Sequence, residues 1–229
     1  MAAGLLVPKA KGPQSAFSEQ SKKSKKQYLS QAELDLLFKA AKKTRYGLRD
    51  HLGVLLSYRH GLRASELVAL EWDQFDLKAA SVDIRRVKRS LGGRHDLSGE
   101  EIRQLRKLIR TQTPGTRHLF TSERGGPWAA CGFSRMVERI GKAALPGRGV
   151  HAHMLRHSCG HHLAAKGIDT RRIQDWLGHA DISNTMFYTR LQAVHLRGIC
   201  RADSKFSRSR FRQAPCHRQQ HRDVVHHCL

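Results

Sequence analysis

Apolar residues recur at helical spacing along most of the chain, and at strand spacing in one short stretch. In "YLSQAELDLLFKAAKK", Ser30 and Glu33 form a capping-box pattern, and Leu36, Leu37 and Ala40 follow on a helical period. A second helix fits "LRDHLGVLLSYRHG" and stops near Gly61. A third fits "RASELVALEW", with Leu67 and Leu70 on one face. The texture then changes. "SVDIRRV" alternates Val82, Ile84 and Arg86, which predicts a strand, and "LGGRHDL" predicts a turn at Gly92-Gly93 with a return strand. Ser98 and Glu101 cap a further helix carrying Ile102, Leu105, Leu108 and Ile109, ended by Pro114-Gly115. "HLF" predicts a brief third strand, and Gly125-Gly126-Pro127 a turn.

Helical spacing returns at Phe133, Val137 and Ile140, breaks in a loop from Pro146 to Gly149, and resumes at Met154 up to a stop at Gly167. Another helix starts at Asp169 or Thr170, turns Ile173, Trp176 and Leu177 inward, and stops at Gly178; a short one spans Thr185 to Leu191. The fold class expected is mainly α with a small antiparallel β-sheet. Residues 1–27, with six Lys against one Glu and no apolar period, read as a basic disordered arm. Residues 28–201 form the domain. Residues 202–229, rich in Arg, His and Gln, read as a basic irregular tail.

Composition narrows the partner. Lys and Arg number 42 against 19 Asp and Glu, a net charge of +23. Such an excess favours a polyanion, most simply nucleic acid, whose phosphates exchange counterions for Lys and Arg. No run of about 18 apolar residues exists, so no membrane span is expected, and "MAAGLLVPKAKG" has too short an apolar core for a signal peptide. Five scattered cysteines without a CxxC pair suggest a reducing, cytoplasmic setting.

The densest chemistry lies in "HAHMLRHSCGHHLA", where five histidines fall within residues 151–162. His157 and His161 are spaced i, i+4, as in the zinc motif HExxH, but Ser158 stands where that motif has its general base, and no acid lies between Val150 and Lys166. Cys216, His217, His226, His227 and Cys228 in the tail lack finger spacing. No metal and no cofactor is expected. The other reading is a phosphate grip. His153 and Arg156, three apart at the start of a helix, share a face; the helix N-terminus offers free N–H groups, and a guanidinium grips two phosphate oxygens.

Two further stretches support the phosphate reading. "HGLRASELVALEW" sets Arg63 and Glu66 on one helical face, so the carboxylate can orient the guanidinium. "WLGHADISNTMFYTR" places His179 nine residues before Tyr188. Together the box GLRxSEL, the box HxxRH, the LGH box and the following tyrosine resemble the tyrosine recombinase (phage integrase) family, over about residues 28–201. "HMLRHSCG", "GIDTRRIQDWLGH" and "YT" are most similar to the short recombinases that invert fimbrial promoter switches.

The resemblance implies that family's catalytic-domain fold and a metal-free phosphoryl transfer. Tyr188 would attack the scissile DNA phosphate and form a 3′-phosphotyrosine. Arg63 and Arg156 would hold the non-bridging oxygens. His153 would help with the tyrosine proton, Lys88 would protonate the leaving 5′ oxygen, His179 would hydrogen-bond a phosphate oxygen, and Glu66 would support the arginines. His157 is expected to be structural, and His151, His161 and His162 solvated or DNA-facing. The partners implied are double-stranded DNA, further copies of the chain in a tetramer on DNA, and accessory DNA-bending proteins, in the cytoplasm at the nucleoid.

The chain departs from the family at "HLRGICRADSKF", where Leu196, Arg197 and Cys200 stand in place of the expected aromatic anchors; a frame-shifted or truncated end is one explanation. The function expected is site-specific recombination, by inversion or by integration of a mobile element. The rivals are a type IB topoisomerase-like activity, a catalytically silent DNA-binding protein of the same fold, and a metalloenzyme built on the histidine cluster.

Overall fold

The computed structural model describes residues 27–86 and 92–190. Residues 1–26, 87–91 and 191–229 lie outside the described residues; they include all but the last residue of the expected arm, Lys88, the end of the expected domain and the whole expected tail 202–229. The described residues form eight α-helices and one small sheet: α1 Gln31–Lys42, α2 Gly47–Arg59, α3 Ala64–Val68, α4 Gly99–Thr111, α5 Ala130–Ala144, α6 Ala152–Ala165, α7 Thr170–Leu177 and α8 Ser183–Arg190. The strands β1 Phe75–Asp76, β2 Ser81–Ile84 and β3 Gly93–Asp96 pair antiparallel in the order β1-β2-β3. The class read from the sequence, mainly helical with a small antiparallel sheet, is the class observed.

The caps act where the sequence places them. The Glu33 carboxylate accepts the backbone N–H of Ser30 at 2.7 Å and its hydroxyl at 2.8 Å, and Glu101 does the same for Ser98. Two helix faces differ from expectation. Leu36 and Ile109 are 46% and 50% exposed, while α1 buries Leu34, Leu37 and Ala41 and α4 buries Glu101, Leu105 and Leu108. Adjacent pairs such as Leu36-Leu37 and Leu108-Ile109 fit two helical phases, and packing chooses one. "HLF" forms no strand. Leu119 and Phe120 are fully buried, but only isolated bridges, Glu71 with His118 and Thr121 with Pro127, flank them.

The β2–β3 pairing runs from Ser81 opposite Asp96 to Ile84 opposite Gly93. Gly93 is therefore a strand residue rather than part of the turn, and the two-residue strand β1 was not foreseen. The alternation is as read: Val82 and Ile84 point into the core, and Arg86 continues the same face with its side chain 1% exposed.

Helix α6 runs through the middle of the domain. It buries Met154, Leu155, Arg156, Ser158, Cys159, Gly160 and Ala164 and packs against α2, α5 and α7. A helix buried on most sides shows little amphipathic pattern, and this one carries the histidine cluster.

Candidate active site

Three chain turns meet beside the buried flank of α6. The first is the end of α2. Gly61 takes φ +59°, and a Cβ there would fall 2.3 Å from Leu177 Cδ2, so only glycine fits both backbone and space. Next, Arg63 is the N-cap of α3, and Glu66 closes the turn by accepting the Arg63 backbone N–H at 3.0 Å. The third turn is the end of α7 at Gly178, after which His179 is fixed through its own backbone, its N–H donating to the Gln174 carbonyl and its carbonyl accepting from Gln174 Nε2.

Glu66 is 2% exposed, and three guanidinia converge on its carboxylate. Arg63 Nη1 lies 2.6 Å from Oε1, Arg86 Nη1 lies 2.8 Å from Oε2, and Arg156 Nη1 stands back at 3.8 Å. Arg156, from α6, donates to the carbonyls of Gly61 and Leu177, which stitches α6 to the ends of α2 and α7. Burial pushes the Glu66 carboxyl up, but the Arg63 N–H and the Arg86 charge outweigh it, and its pKa is lowered. One carboxylate among three arginines leaves two positive charges without an acid in the group. Desolvation, then the charges of Arg63 and Arg86, bring Arg156 down to about 10. A cluster so charged and so dry is poised to take an anion.

Tyr188, on α8, lies against the same helix with its ring 1% exposed. Its hydroxyl is 2.9 Å from His157 Nδ1. The ring sits over Gly160, where a Cβ would stand 2.8 Å from Cε2 and Cζ. His161 meets it edge-on at 5.1 Å, and His179 lies nearly parallel at 6.3 Å. Burial raises the Tyr188 hydroxyl to about 12, with the Arg156 charge acting against that rise. His179 Nδ1 is 2.9 Å from the hydroxyl of Thr185, a fully buried residue. Burial lowers His157 to about 4, helped by the charge of His153; burial and then Arg156 lower His179 to about 4. Both rings are neutral at ordinary pH.

The expected residues Arg63, Glu66, Arg156, His179 and Tyr188 thus come together. His153 is next to them, its ring 4.5 Å edge-on from His157, but the histidine that meets the tyrosine hydroxyl is His157, which the sequence reading took as structural. His161 and His162 are part-buried: His161 stacks on Tyr28 at 3.8 Å and His162 meets the edge of Tyr58 at 6.0 Å. His151 is exposed, as expected. Arg86, Thr185 and Gly160 were missed. Only Arg86 left a signal, its place in the β2 alternation.

The chain matches the Phage integrase family over residues 27–195. It belongs to that family. It is 38% identical over 179 residues to the type 1 fimbriae regulatory protein FimB of Escherichia coli (strain K12), covering 76% of this chain and 90% of that protein. Among solved structures, XerA recombinase superposes with a TM-score of 0.65 at 27% identity, covering 80% of this chain and 66% of that one. XerH site-specific recombinase bound to its difH substrate superposes with a TM-score of 0.62 at 24% identity, covering 76% and 52%, and shows the shared fold. The chain is thus a site-specific recombinase of the tyrosine type, a DNA strand transferase. Among the described residues no helix is long and apolar enough to cross a membrane.

Proposed function

We propose that the domain breaks and rejoins DNA through Tyr188, forming a 3′-phosphotyrosine, and that the reaction inverts or integrates a DNA segment. The observation that carries the reading is the uncompensated charge at Glu66: three guanidinia share one buried carboxylate beside a tyrosine hydroxyl.

In this mechanism Arg63, whose side chain is 35% exposed, and Arg156 take the non-bridging oxygens. Arg156 keeps N–H groups beyond those bound to the Gly61 and Leu177 carbonyls for this purpose. Both stabilise the charge that grows in the pentavalent transition state. Neutral His157 accepts the Tyr188 proton as the oxygen attacks phosphorus, with His153 behind it. With its Nδ1 accepting the Thr185 hydroxyl, the His179 ring carries its hydrogen on Nε2 and donates to a phosphate oxygen. Lys88, assigned from sequence, protonates the departing 5′ oxygen. The new phosphodiester to tyrosine conserves the bond, so rejoining needs no nucleotide. Strand exchange requires several protomers on DNA, in the tetramer the family resemblance implies, with DNA-bending proteins as candidate accessories, and it takes place at the nucleoid.

The test is a nicked suicide substrate, which loses its free 5′ end on cleavage. Wild type traps itself on the 3′ phosphate, while Tyr188→Phe binds the same DNA and traps none. Adduct from Tyr188→Phe would reassign the nucleophile, with Tyr58 and Tyr46 next in line. Binding by wild type without any adduct would favour the silent DNA-binding reading.

A further inference from the structure

We propose that Arg86 is a positioning residue of the cleavage site: by neutralising Glu66 it keeps the charges of Arg63 and Arg156 available to the phosphate. The proposal rests on the recombinase reading above and assigns a role to a residue that takes part in none of its steps.

Arg86 continues the inward face of β2 after Val82 and Ile84, and its side chain is 1% exposed. A guanidinium on a buried strand face is costly unless every donor finds a partner. Here it bonds Glu66 Oε2 at 2.8 Å and three carbonyls: Gly61 at 3.3 Å, His60 at 3.0 Å and Trp176 at 2.6 Å. These acceptors belong to the end of α2, the first turn of α3 and the end of α7. The same segments deliver Arg63, the two carbonyls that hold Arg156, and His179.

Arg86 also uses atoms that Arg156 would otherwise take. Both donate to the Gly61 carbonyl, and both face Glu66 Oε2, where Arg86 sits at 2.8 Å and Arg156 is kept at 3.8 Å. Arg63 occupies the other oxygen at 2.6 Å. Without Arg86, the carboxylate has only the two phosphate-facing arginines to pair with. It would draw Arg156 inward and cancel one of the two charges the transition state needs. Each Nη of Arg86 already makes two bonds, to Glu66 and the three carbonyls, whereas each Nη of Arg156 makes one, so Arg86 acts through its neighbours.

The experiment is a double-variant cycle of Arg86→Met and Glu66→Gln, read as the rate of adduct formation on the suicide substrate. If Arg86 acts by neutralising Glu66, Arg86→Met slows wild type about 100-fold, the size expected for losing one donor of transition-state stabilisation. In the Glu66→Gln background the carboxylate is gone, and the same change costs less than about threefold. A methylphosphonate at the scissile position is neutral and needs less positive charge, so it restores Arg86→Met to within about tenfold of wild type. Equal losses in both backgrounds would mean that Arg86 only braces the backbone, and no loss in wild type would overturn the proposal outright. If Arg86→Met alone does not fold, the comparison of Glu66→Gln with Glu66→Gln/Arg86→Met decides, because the double variant removes both buried charges together. A wild-type chain that traps no DNA overturns the recombinase reading, and this proposal with it; wild-type trapping with an uncoupled cycle overturns the Arg86 role alone.

Discussion

Gly160 and Tyr188 are in contact across the interface of α6 and α8: any Cβ at position 160 would stand 2.8 Å from the tyrosine ring. The glycine is a vacancy shaped for the nucleophile, one turn along α6 from Arg156, and it brings the hydroxyl to His157. In an isolated helix, glycine to alanine stabilises by about 1 kcal/mol. Here that gain opposes an overlap that overpacking data put at about 1–3 kcal/mol. Gly160→Ala should therefore cost about 0–2 kcal/mol net, lowering the melting temperature by no more than about 8 °C, while cutting the adduct rate at least about tenfold, through a displaced ring. Differential scanning calorimetry beside the suicide-substrate assay checks it. A normal rate would mean that the ring position seen here is not the one used in cleavage.

The two histidines of the HxxRH box, His153 and His157, should carry unequal shares of the proton transfer. His157 touches the Tyr188 hydroxyl at 2.9 Å, whereas His153 reaches it only through His157. His157→Ala should slow adduct formation by about 10²-fold or more, in the range of a lost general base, and His153→Ala by less. Single-turnover rates of the two variants decide the order. The reverse order would return the proton to His153.

The arginines, the LGH histidine and the tyrosine were legible because their boxes fix residue types at fixed spacings. Helix starts were legible because capping acids such as Glu33 and Glu101 sit three residues after their serines. The position of His157 was not. Whether an α6 histidine meets Tyr188 depends on how α8 lies across the helix, a tertiary fact with no trace in local spacing. The phases of α1 and α4 failed for a related reason: Leu36-Leu37 and Leu108-Ile109 fit two faces, and the neighbouring helices choose. Arg86 was half visible. The strand period put it inward, but only the fold shows that Glu66 is there to meet it.

Arg63 and Arg156 should separate stability from activity. Arg63 is partly exposed and its ion pair is local, so Arg63→Ala should cost less than about 1 kcal/mol of stability. Arg156 is 1% exposed and bonds two carbonyls from other segments; Arg156→Ala should cost about 2 kcal/mol or more. Both should lose about 10²-fold or more in adduct rate. Urea denaturation and the trapping assay report the two quantities independently. Equal stability losses would mean that the Arg156 stitching carries little energy.

Stability should also depend on pH in a window set by the buried rings. Burial lowers His157 and His179 to about 4, and burial with the charge of His60 lowers His95 to about 3, all from 6.5. Below pH 6.5 the unfolded chain takes up protons that the folded chain refuses. The stabilisation from these groups is therefore complete above 6.5 and is lost as pH falls towards their folded values. Buried Glu101, held at about 2 by His60 and Ser98 against its own desolvation, and Glu66, also lowered, add to the loss only below their ordinary value of 4.5. A decline between pH 6.5 and 5 is thus specific to the histidines. Urea midpoints at pH 8, 7, 6 and 5 should be level over the first two and fall over the last two. Stability that stays level from pH 7 to 5 would mean the rings titrate as they do in water, which would remove the dry, neutral His157 that the proton transfer from Tyr188 requires.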